Sequence, residues 1–117
     1  MTTVIIYHNS NQEYTGFTCM GHAGYAKKSI LGTKPDILCA AISTLTINTV
    51  NSLETLAAEK DNMKIDTNEA TGFIKCEFLH PITNPDSKIL LDAMVLGLTG
   101  LSNEYGNKYL QVKFEEV

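Results

Sequence analysis

His22 and Cys39 stand seventeen residues apart in the stretch GHAGYAKKSILGTKPDILCAAIS, residues 21–43. Histidine is the side chain best placed to accept and return a proton near neutral pH. A cysteine, as its thiolate, attacks carbonyl carbon. If a helix begins at Asp36, Cys39 lies in its first turn. The free N–H groups and the macrodipole there favour an anion, here a thiolate over a thiol. The same N–H groups could hold the oxyanion that forms after attack. Asp36 or Ser43 could orient His22, and Ser43 is one turn beyond Cys39 on the same helix face.

The pair has a second reading. Free cysteine is among the most buried residue types. "ILCAAI" is apolar on both sides, as expected for a core thiol. Cys19 and Cys76 sit in strand patterns and read as core, while His8 and His80 lie at element ends as surface or capping residues. Three widely spaced cysteines make no complete disulfide framework and no CxxC motif. The thiols are expected reduced. No spacing supports a metal site, and the glycine-flanked loop matches no phosphate-binding pattern.

The elements that must position these residues follow from the patterning. "TTVIIYHN" is β-branched and ends in the turn-former "NSNQ", a first strand. "EYTGFTCMG" is a second strand, with Phe17 and Cys19 on one face. Residues 21–35 are a loop marked by Gly21, Gly24, Gly32 and Pro35. A long helix follows over about 36–59, with Leu38, Ile42, Leu45, Thr49, Ser52/Leu53 and Leu56 inward. Asp36 is its N-cap candidate, or Thr33 opens a capping box. Residues 43–52 of this helix are polar but uncharged, a neutral exposed face or one packed on a second subunit or lining a cleft.

"MKIDTNEATGFIKCEFL" reads as a hairpin turning at "DTNEATG". A second helix over about 87–104 is capped by Ser87 or Asp86, with Ile89/Leu90, Ala93/Met94, Gly97/Leu98 and Leu101 inward. "KYLQVKFEEV" is a last strand. The order ββαββαβ predicts an α+β fold: a two-layer α/β sandwich, mostly antiparallel, with both helices on one face.

A chain of 117 residues reads as one domain, 1–117. Its 44% hydrophobic and 19% charged residues are those of a globular protein. Nine Lys and Arg residues, a net charge of −4 and no basic cluster beyond Lys27-Lys28 argue against direct nucleic-acid binding. No apolar run approaches the roughly 18 residues of a membrane span, and "MTTVIIYHNSN" is no signal peptide. A cytoplasmic location is expected.

The blocks "GHAGYA" and "DILCAAIS" resemble the signature of the ribosomal-processing cysteine proteases called Prp, the YsxB family. Two separated blocks match in order and in fold position, and the likeness runs through the whole chain. Leu38 and Ile42 stand where the family has valines. The resemblance implies a cysteine endopeptidase that removes a short N-terminal extension from the large-subunit ribosomal protein L-twenty-seven in Firmicutes and related bacteria. It implies Cys39 as nucleophile, His22 as base, and Gly21, Asp36 and Ser43 as supporting residues. It implies a homodimer, no cofactor, and a substrate with apolar and aromatic residues before the cut. A rival reading is a non-enzymatic dimeric module binding a ribosomal protein or assembly intermediate. The loop 24–35 is several residues longer than in the family and is expected to be a mobile lid or strap.

Overall fold

A computed structural model describes residues 1–22, 28–29, 32–33 and 36–117. The elements are β1 (Thr2–His8), β2 (Tyr14–Met20), β3 (Lys28–Ser29), β4 (Gly32–Thr33), α1 (Ile37–Thr55), β5 (Met63–Asn68), β6 (Phe73–Phe78), α2 (Pro85–Tyr105) and β7 (Leu110–Glu116), with a single 3₁₀ turn at Lys60–Asn62. This is the expected order with a two-residue ladder, Lys28–Ser29 against Gly32–Thr33, set into the loop. The reading of 24–35 as a mobile lid otherwise falls outside the described residues.

Strands run in the order β5-β6-β2-β1-β7. All neighbours are antiparallel except β1 and β7, which run parallel. Alternation decides which side is buried. Ile6, Phe17 and Cys76 form one rung across three strands, and Val4, Cys19 and Ile74 form another. All but Ile74 are buried, and they join Leu38, Ile42, Leu53, Leu91, Met94 and Leu98 of the two helices in one core. The other face carries Lys75, Glu77 and Lys113. Among the described residues no helix is long and apolar enough to cross a membrane.

Both helix boundaries differ from expectation. α1 ends at Thr55, because Ala58 adopts a positive φ of 56° and the Glu59 N–H turns back to the Leu53 carbonyl. Leu56, expected inward, is therefore outside and 73% exposed. α2 starts at Pro85, and its N-cap is Asn84, whose side chain accepts from the Asp86 N–H at 3.0 Å. Ser87, expected as a cap, is buried and donates to Glu59 Oε2 at 2.6 Å. With that start the buried stripe is Leu91, Met94, Leu98 and Ser102, so Ile89 and Ala93 face outward.

The uncharged middle of α1 divides three ways. Thr46 and Thr49 are buried and return their hydroxyls to the Ile42 and Leu45 carbonyls, so they satisfy themselves inside the core. Thr44 and Asn48 are exposed. Ser43 and Asn51 line a cleft.

Candidate active site

β2 ends at Met20, and Gly21 bends the chain out of the strand with φ 87°. A Cβ there would stand 2.5 Å from the Met1 carbonyl oxygen, so only glycine fits. The bend aims His22 at the start of α1. A second glycine closes on the first. Gly72, in the β5–β6 turn with φ 66°, would place a Cβ 2.5 Å from the Gly21 carbonyl oxygen and 3.1 Å from His22 Cε1. Two backbones thus meet at van der Waals distance, and the hairpin turn becomes a wall against the imidazole.

That wall supplies the group that orients the ring. His22 Nε2 lies 3.5 Å from the Ala70 carbonyl oxygen, and Nδ1 lies 3.8 Å from Cys39 Sγ. A carbonyl only accepts, so it favours the tautomer with the proton on Nε2. Nδ1 is then the basic nitrogen, and it faces the thiol.

Cys39 is presented by the helix start. The Asp36 carboxylate accepts the Cys39 N–H at 2.9 Å, and the Asp36 carbonyl accepts the Ala40 N–H at 3.0 Å. Asp36 is therefore the N-cap, and its sequence signature was the correct one of the two considered. The cap takes the N–H nearest the thiol, so that group is not the open oxyanion donor the sequence suggested.

The three cysteines separate by environment. Cys19 and Cys76 are buried. Burial pushes the Cys19 thiol up to about 11, with the nearby Cys39 adding to it. Burial and then the Glu54 carboxylate push Cys76 up to about 12. Cys39 is half-buried and opens on a cavity.

The cavity measures about 570 Å³ and is lined mainly by carbon. One side is a stripe of α1: Cys39, Ser43, Ile47, Asn51 and Glu54. These positions recur every three or four residues and so share one helix face. The other side is the β5–β6 hairpin, with Ile65, Thr67 and Ile74. Since β5 is the outermost strand, this side of the sheet extends past the helix and leaves an open groove. His22 and Cys39 sit at its end beside the hairpin turn.

All five residues singled out in the sequence, Gly21, His22, Asp36, Cys39 and Ser43, lie in this region. Ser43 lines the cavity one turn from Cys39, but the partner on His22 Nε2 is the Ala70 carbonyl. That carbonyl and Gly72 were missed. The only sequence signal was a glycine in a recognised turn, and nothing in it pointed to the strand end 51 residues earlier.

The family model described as cysteine protease Prp matches residues 1–111. No curated protein matches the chain. Among solved structures, the ribosomal processing protease Prp from S. aureus with a covalently linked product peptide is 23% identical, with a TM-score of 0.82 over 98% of this chain and 100% of that one. The same protease with a substrate peptide is 22% identical, with a TM-score of 0.79 over 98% and 100%. SMU.848 from Streptococcus mutans is 28% identical, with a TM-score of 0.78 over 100% and 96%.

Proposed function

Because the chain belongs to the cysteine protease Prp family, we propose that Cys39 and His22 form its catalytic pair and that it trims the N-terminal extension of the ribosomal protein L-twenty-seven. The observation that carries the reading is the 3.8 Å approach of His22 Nδ1 to Cys39 Sγ at the end of an open apolar groove. An open groove suits an extended chain, whereas a deep, closed cleft would have favoured a small-molecule hydrolase. The S. aureus protease of the same fold, held with substrate and product peptides, supports a peptide substrate here.

The steps follow from the residues. His22 Nδ1 takes the proton of Cys39 Sγ, and Sγ bonds to the scissile carbonyl carbon. The C–N bond breaks as His22 returns the proton to the leaving amine. A thioester links the first product to Cys39. Water then attacks that carbonyl while His22 takes its proton, the C–S bond breaks, and the thiolate regains the proton. The Ala70 carbonyl stabilises the imidazolium formed at each proton transfer through the Nε2–H. The working distance shortens on substrate binding, as catalytic contacts commonly do. Asp36 fixes Cys39 through the cap, and the enzyme works as a homodimer, as the family likeness implies.

The test is cleavage of the host's full-length L-twenty-seven, read by mass spectrometry. Wild type makes one cut near the N-terminus, and Cys39→Ala and His22→Ala make none. Cutting by Cys39→Ala would end the assignment. No cut by wild type, with tight binding by all variants, would favour a binding module for that substrate.

A further inference from the structure

The groove is apolar along most of its length but ends in a carboxylate. Glu54, in the last turn of α1, is half-buried on the groove wall. Among the described residues it makes no hydrogen bond or ion pair, and no Lys or Arg lines the groove. A half-buried carboxylate without a cation can take one from a bound peptide at modest gain. It lines the cavity together with Ile65, whose strand partner is Cys76, and its charge adds to the upward push on that thiol.

We infer that Glu54 is a specificity-determining residue that selects substrates carrying a Lys or Arg five to seven residues from the cut bond. This rests on the proposed placement of the cut at Cys39. Two rulers give the spacing. Cys39 and Glu54 are fifteen helical residues apart, about 22 Å at 1.5 Å each. Along the hairpin, the turn beside His22 is at Ala70, and Ile65 lines the same cavity as Glu54. Those five residues span at most about 17 Å, since β5 ends at Asn68 and Ala70 lies in the turn. An extended peptide covers 17–22 Å with about five to seven residues. Apolar residues would fill the groove between, against Ile47, Ile65 and Ile74. Glu69, the other groove carboxylate, belongs to the turn at the His22 end and would act only near the cut.

The test uses synthetic peptides copied from the start of the host's L-twenty-seven precursor through the cut. Every Lys and Arg is replaced by Gln, and one Lys is then walked through the positions. Cleavage is measured as kcat/KM with wild type, and binding by fluorescence anisotropy with Cys39→Ala. Both should peak with Lys five to seven residues from the cut, by about fivefold, as for an ion pair that keeps contact with water. The gain should fall in KM and not in kcat. Adding Glu54→Gln should flatten the peak. Glu54→Lys should prefer the peptide with Glu in place of that Lys, a reversal that loss of folding could not produce. A flat binding profile, or a peak unchanged in Glu54→Gln, overturns the inference. Absence of cleavage with a Glu54-dependent binding peak would sustain it and count against the catalytic reading alone.

Discussion

The Asp36 carboxylate accepts the Cys39 N–H at 2.9 Å, so the residue that starts α1 also sets the position of the thiol three residues on. Asp36→Ala should cost about 1 kcal/mol of stability, the usual worth of an N-cap. Asn caps as well as Asp, so Asp36→Asn should restore most of it. Thermal melts beside kcat/KM for both variants check this. If Asn restores the melt but not the activity, the charge of Asp36 matters beyond the cap.

Gly72 rests on the Gly21 carbonyl so closely that it tolerates no Cβ, and Gly21 is barred from one by the Met1 carbonyl. Gly72→Ala should push the hairpin turn away from His22 and loosen the Ala70 contact. A displacement of about 1 Å at a catalytic group can cost on the order of 10²-fold in rate. Single-turnover kinetics should show that loss in the chemical step, with the circular dichroism spectrum retained. An unchanged rate would mean that the turn does not orient the imidazole.

Burial holds Cys19 near 11 and Cys76 near 12, far above ordinary working pH. Both should stay protonated and shielded. Iodoacetamide at pH 8 should therefore modify one residue in the native protein, Cys39, and all three after unfolding. Peptide mapping reads the outcome directly. Labelling of Cys76 in the native state would contradict the packing of the central rung.

Tyr14 donates to Asp92 Oδ1 at 2.5 Å, tying the start of β2 to α2. Burial favours the neutral form of Asp92, but hydrogen bonds from Lys88 and Tyr14 outweigh it and hold the carboxyl below its ordinary 3.8. A lowered carboxylate contributes stability above its unfolded value and loses it as pH falls. Tyr14→Phe should cost about 1 kcal/mol at pH 7. The gap to wild type should narrow below pH 3.8 as Asp92 takes its proton. Urea melts at pH 7 and pH 3 measure both.

The sequence exposed whatever depends on local chemistry. The β-branched run of the first strand, the placing of Phe17 and Cys19 on one face, and the Asp36 cap are all short-range patterns, and all appear in the structure. α2 was misread at its start because Ser87 and Asp86 look like caps in isolation. Only the tertiary bond from Ser87 to Glu59 removes Ser87 from that role. Pro85 at the first helical position was the overlooked local cue. The orienting group on His22 was hidden for a deeper reason. It is a backbone carbonyl, which every residue has, brought close by a turn 48 residues away in sequence.

The parallel pairing of β1 with β7 ties the support beneath His22 to the far end of the chain. β1 is fixed by the last strand of the chain, with Thr2 opposite Leu110 and its N–H bonded to the Tyr109 carbonyl. Gly21 rests against Met1 and Thr2. The floor beneath His22 is thus secured by residues made about 90 positions later. Contacts so distant in sequence form late and slow the folding of a small domain. Without its C-terminal strand the chain would lack the partner that holds β1 beneath Gly21 and His22.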